Sequence, residues 1–132
     1  MKLVKLFIIL LLITSCTERG NDTLKVTSLD QIYGIWEWES TCGGIIDNCA
    51  YPSKTNYQEI EFKEFSQFLE RNNDTLSLSA TYSIERSDNV SGTLVLIKTV
   101  SNDTLSQNAI GILNNRLVIF AGELTISYKK IK

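Results

Sequence analysis

The chain has 132 residues, with 13 Lys and Arg against 15 Asp and Glu, three Cys, one Pro and no His. That length suits one ordinary domain with a real core. The mildly acidic balance argues against nucleic acid, which asks for a basic patch, and the lack of His removes the commonest metal ligand and the commonest general base near neutral pH.

Lys2 and Lys5 form a positive leader, Leu6 to Ile13 an unbroken apolar run, and the small residues Thr14 and Ser15 stand directly before Cys16. This is the layout of a secretory signal, and its apolar run is too short to span a bilayer as a helix. A small-x-small cleavage site is missing, because Ile13 is bulky, and an ordinary signal ending near Ser15 would leave Cys16 as an unpaired exported thiol. Ile13-Thr14-Ser15-Cys16 resembles the lipobox of bacterial lipoproteins. The resemblance implies cleavage before Cys16, acylation of its thiol (a palmitate-type chain) and of its new amino group, and lipid anchoring in the cell envelope, at the outer membrane. Several acyl chains at one residue hold stably where one would be marginal. Loss of Lys2 and Lys5 leaves 11 basic against 15 acidic residues, a net −4.

Thr17 to Ser28 (TERGNDTLKVTS) is polar and reads as a tether. The expected division is therefore 1–15 signal peptide, 16–29 lipidated Cys and tether, and 30–132 folded domain. With Cys16 acylated, Cys42 and Cys49 remain as an even pair, for which an oxidising compartment favours a disulfide. Gly43 and Gly44 allow the tight turn between them, and closing so short a loop is worth roughly 2 to 2.5 kcal/mol in the chain-entropy model. Metal thiolates would need two further Cys or His ligands, so no metal is expected. Pro52 falls in the loop beyond the pair, where it breaks no strand.

The remainder is strand-like. Leu76, Leu78, Ala80, Tyr82 and Ile84 alternate with polar residues, as do Leu124, Ile126 and Tyr128, so each segment has one buried and one wet face. Thr93 to Ile97 and Leu117 to Phe120 are short β-branched apolar runs. Asn114-Asn115 suits a two-residue hairpin, since Asn tolerates positive φ. Asn72-Asn73-Asp74, Ser87 to Gly92 and Ala121-Gly122 supply further turns. Asn-Asp-Thr-Leu occurs at 21, 73 and 102 with unequal offsets and reads as recurrent turn-then-strand chemistry, not as a repeat unit. About eight strands result, near 33–41, 56–63, 65–71, 75–85, 92–99, 106–113, 116–121 and 123–131. Part of Tyr57 to Leu69 has helical spacing, but the alternation through Ile60-Glu61-Phe62 favours strands. Short connections pair neighbours as hairpins, giving an all-β, antiparallel up-and-down meander of about eight strands that closes into a small barrel with no free edge.

Gly34-x-Trp36 opening the first strand, Gly43-Gly44, Ile60-Glu61-Phe62 and Tyr82-Ser83-Ile84 resemble, in that order, the lipocalin-like domains of small lipoproteins from Bacteroidetes-type bacteria. The resemblance implies a lipocalin-like barrel whose floor is closed by Trp36, with Gly34 beside it and a basic residue near the end of the last strand, Lys129 or Lys130, packed across the ring.

No catalytic constellation stands out. Glu37 and Glu39 lie on the wet face of a strand, the serines have no histidine, and there is no phosphate loop or metal signature, so no enzyme activity and no cofactor is expected. Trp36, Trp38 and Tyr33 could stack on a sugar, though core packing suits Trp36 better. Two readings remain. In one, the barrel holds a small apolar ligand against Leu78, Tyr82, Leu96 and Ile126. In the other, the barrel is filled and an envelope protein partner is met through the disulfide-pinned loop around Ile45, Ile46 and Tyr51, which would lose little entropy on binding.

Overall fold

The computed structural model describes residues 29–45, 48–87 and 93–132. A 3-10 turn, Leu29–Gln31, leads into nine strands: β1 Gly34–Gly43, β2 Asn48–Ala50, β3 Gln58–Phe62, β4 Gln67–Asn72, β5 Thr75–Arg86, β6 Leu94–Val100, β7 Asp103–Leu113, β8 Arg116–Ala121 and β9 Leu124–Lys130. Sequential antiparallel pairing runs from β3 to β9, β1 pairs with β3, and β9 returns to β1. The result is a closed eight-stranded barrel with β2 as an extra strand beside the far half of β1. The expected meander is present, and the stretch near Tyr57 to Leu69 is two strands, as its alternation indicated.

Turn chemistry sets the registers. Asn73-Asp74, Ser101-Asn102 and Asn114-Asn115 each place two successive residues at positive φ, between 49° and 70°. This is the backbone that matches the right-handed twist of a two-residue hairpin. Two copies of Asn-Asp-Thr-Leu thus do turn work, one with both leading residues in the turn and one with only Asn102 there. Asn73 also ties down the end of the long connection, its side-chain oxygen accepting from the Tyr57 amide at 3.0 Å.

β5 carries the stagger of the barrel. Thr75–Thr81 pair with β4, and Thr81–Arg86 pair with β6, so the strand passes from one neighbour to the other halfway along. Bulges in β1 at Trp38/Ser40, opposite β5 at Glu70/Arg71 and between β6 and β7 at Lys98/Thr99 add local bends.

β2 is absent from the sequence expectation. It is three residues long and is defined by its partner, with Cys42 directly opposite Cys49. The two form the expected disulfide. β7 begins at Asp103, not near 106, because the bulge beside Thr99 interrupts its alternation.

The seam between β1 and β9 depends on two glycines. A Cβ on Gly34 would lie 2.1 Å from the Lys132 carbonyl oxygen, and one on Gly43 would lie 2.2 Å from that of Glu123. Gly34 also sits at φ +121°, a backbone that L side chains rarely adopt. Its missing side chain lets the Ile35 amide donate to the Lys132 carbonyl at 3.0 Å. Gly34→Ala is expected to cost about 2 to 4 kcal/mol from strain and displacement of the terminal strand, read as a lower urea midpoint. Replacing both Cys42 and Cys49 by Ser is expected to cost about 2 kcal/mol while leaving the far-ultraviolet spectrum of the barrel intact.

Candidate functional site

The two ends of the barrel differ. At the end where β1 begins, alternation points Trp36, Phe62, Phe68, Leu96 and Leu117 inward, and all are at most 1% exposed. The Trp36 indole N–H donates to the Ile32 carbonyl at 2.7 Å, so this buried donor is satisfied. Lys130 lies across the ring, with Nζ 5.3 Å from its centroid, and donates to the Gln31 carbonyl at 3.2 Å. One ammonium thereby joins the 3-10 turn, the Trp and the last strand by a cation–π contact and a hydrogen bond. Of the two candidate lysines, Lys130 takes this place. Lys129 points the other way and pairs with Glu37 at 2.7 Å on the outer face. Phe62 packs edge-to-face against Phe68 and Tyr82, with centroids 5.2 and 5.1 Å apart.

At the opposite end the inward positions change character. Gln58, Glu70, Lys98, Ser106 and Asn108 share the inner face with Leu78 and Ile126, and all seven are partly exposed. This half of the inner wall is therefore polar and only partly buried. A hydrogen-bonded chain runs along one side. The Tyr128 phenol donates to Gln58 Oε1 at 2.9 Å, and Gln58 Nε2 donates to Glu70 Oε1 at 3.0 Å. The Ser77 hydroxyl reaches the Glu70 carbonyl oxygen at 3.1 Å. On the other side stands Lys98, its Nζ 4.9 Å from the centroid of the Phe68 ring. Burial pulls its pKa down, and the field of Glu70 only partly opposes this. Among the described residues its ammonium makes no hydrogen bond or ion pair. Directly across the β6–β7 ladder is Ser106, whose buried hydroxyl is likewise without a partner.

The four residues expected to line a ligand space all face inward, but at different depths. Leu78, Tyr82 and Ile126 are partly exposed against the core, and Leu96 is 0% exposed within it. Leu78 and Ile126 belong to the wet half. Tyr82 and Leu96 pack towards the sealed end, and Tyr82 donates to the Lys63 carbonyl at 3.3 Å. Gly34 and Trp36 form the floor described above. Cys16 and Ile46 lie outside the described residues. Ile45 and Tyr51, on the disulfide-pinned segment, are 101% and 65% exposed. Glu37 and Glu39 are on the outer face, paired with Lys129 and Arg116, as wet-face residues would be. A shallow cleft of about 260 Å³ at the sealed end is lined by Gln31, Trp36, Ile112, Asn115 and Lys130.

Sequence reasoning passed over Lys98, Ser106, Glu70 and Gln58. The signal was present as parity: Leu94, Leu96 and Lys98 share a face, as do Ser106, Asn108 and Ile110. It was hidden because apolar residues occupy both faces of the first run, and because Ser and Asn mark a wet face by default.

Burial, with Glu70 second, raises the pKa of Tyr128 well above its ordinary 10, and burial with Tyr33 alongside lifts Tyr82 to about 12. Both folded values exceed the unfolded ones. Their contribution to stability is therefore complete below about pH 10 and is lost as pH rises through the folded values. The urea midpoint is expected to hold between pH 7 and 9 and to fall above pH 10, less steeply in Tyr128→Phe.

Compared with known proteins, the chain matches no family model, no curated protein and no solved structure.

Proposed function

We propose that this chain is an exported, lipid-anchored binding protein of lipocalin-like type, with a barrel closed at the Trp36 end that takes a small ligand at the other. One observation carries the reading. Trp36, Phe62, Phe68, Leu96 and Leu117 towards one end are each at most 1% exposed, with Ile84, Leu94 and Ile112 partly exposed around them, while Gln58, Glu70, Lys98 and Asn108 at the other end make the inner wall polar and partly exposed, an asymmetry that suits a cup. Leu78 and Ile126 offer apolar wall, and the Tyr128–Gln58–Glu70 chain offers fixed polar groups.

The Gly34, Trp36 and Lys130 arrangement fits the closed floor that the lipocalin resemblance implies. Attachment through Cys16 rests on the leader and lipobox pattern of residues 1–16. The first described residues, Leu29–Gln31, lie at the Trp36 end, where the Gln31 carbonyl accepts from Lys130. A second reading, a protein-binding module, is favoured by the full exposure of Ile45 beside the disulfide, because an apolar side chain on a pinned loop is pre-organised for contact.

Two measurements test this. Growth with radiolabelled palmitate should label the full chain and not Cys16→Ser. Native mass spectrometry of the purified full chain should release a small molecule on unfolding. A bare polypeptide mass in both states would turn attention to the Ile45 loop.

A further inference from the structure

Phe65 departs from the turn chemistry of the rest of the chain. Every other non-glycine residue with positive φ among the described residues is Asn, Asp or Ser, whose short polar side chains suit turns. Phe65 takes φ 58° with a bulky ring, and Ser66 follows at 60°. The core does not offset this strain, because the ring is 96% exposed in the turn between β3 and β4. A strained backbone that holds an aromatic ring out in water points to a role beyond folding.

The turn stands at the end of the barrel where the chain enters. Phe62, the last residue of β3, pairs with Gly34, the first of β1. Ser66 shares a cleft of about 210 Å³ with Tyr33, Tyr82, Ser83 and Ile84. Tyr33 stands two residues beyond the Leu29–Gln31 turn. Tyr33 and Ile131 add 36% and 42% exposed apolar bodies at the same end, where the Ile131 amide donates to the Ile35 carbonyl at 2.9 Å. Twelve residues, 17–28, separate Cys16 from Leu29, and fully extended they reach no further than about 45 Å.

Resting on the lipid-anchor reading, we infer that the Phe65 turn inserts into the bilayer interface beside the lipidated Cys16. The barrel then stands on the membrane with its Trp36 end down and its Ile45 end towards solvent. Phe65 enters the acyl boundary, and Tyr33, with its apolar ring and polar hydroxyl, sits at headgroup level. The contact is apolar and not a headgroup charge site. Lys63 and Glu64 beside the ring carry opposite charges, and Lys63 already lies 3.8 Å from Glu61. The acyl chains supply the affinity, since one ring alone would hold weakly. Phe65 supplies the orientation.

The test uses the full chain, expressed with residues 1–16 intact and reconstituted in phosphatidylcholine vesicles with plain or brominated acyl chains. Trp36 and Trp38 are 1% and 9% exposed, so a Trp added at the surface reports on its own surroundings. An interfacial apolar group sits about 5 to 10 Å into the headgroup and acyl boundary, so brominated chains are expected to quench the added emission of Phe65→Trp at least about twofold. Ile45→Trp, at the other end, should keep its emission. The quenching should be the same when part of the lipid is phosphatidylglycerol, and a requirement for the anionic lipid would overturn the apolar contact. Phe65→Asn removes ring and strain together and should not lower the thermal midpoint, whereas a fall would make the ring structural and overturn the inference. No quenching of Phe65→Trp on protein that floats with the vesicles, or equal quenching at both positions, would overturn the orientation and leave the anchor standing. Failure of the wild-type chain to float would overturn both.

Discussion

The structure depends on the approach of the first strand to the last. Eight strands in sequence form only a curved sheet with two open edges until β1 and β9 meet, and open edges invite pairing with other chains. The meeting is close enough that both ends of the seam exclude a side chain. At one end Gly34 admits the Lys132 carbonyl, and at the other Gly43 admits that of Glu123. Between them the register runs from Trp36 opposite Lys130 to Gly43 opposite Leu124. That register puts the Trp36 ring within reach of Lys130 and places Trp38 beside Tyr128. The Trp36–Lys130 contact and the neighbouring Trp38–Tyr128 pair are both products of the same seam.

The interior is built on a gradient. Towards Trp36 it is a close-packed aromatic and aliphatic core, where each large side chain leaves water almost entirely and contributes roughly 1.5 to 3 kcal/mol. Towards the other end the inward positions become polar, and only some of them are satisfied there. The Tyr128–Gln58–Glu70 chain closes its own hydrogen bonds, which rigidifies that wall. Lys98 and Ser106 do not, and a desolvated cation without an acceptor is destabilising. A local rule broken in an otherwise consistent fold points to function, and among the described residues the departure is seen at two facing residues on β6 and β7.

Much of the fold was legible because its cues are local. Asn114-Asn115 and Asn73-Asp74 announce hairpins through the positive φ that Asn and Asp tolerate. The run from Leu76 to Ile84 shows a strand through its period of two. The pairing of Cys42 with Cys49 followed from cysteine parity. Strand β2 was not legible, since Asn48-Cys49-Ala50 has no pattern of its own and exists as a strand only beside β1. The early start of β7 was masked by a bulge, which shifts parity and makes Leu105 read out of phase. Lys130 could not be separated from Lys129 by sequence, because one residue of register decides which of them meets the Trp36 ring and which meets Glu37.

By itself, then, the sequence determined the eight strands of the meander, the turns and the disulfide, since each rests on backbone preferences or on contacts between near neighbours. It also carries the leader pattern that points to export. Only the tertiary structure decided which half of the barrel interior is a close-packed apolar core and which carries polar inward residues, and that Lys98 stands across the ladder from Ser106. Those facts depend on where the barrel closes and how far each strand slides past the next, quantities that no single segment encodes. A lysine after an apolar run reads as surface until closure turns its face inward.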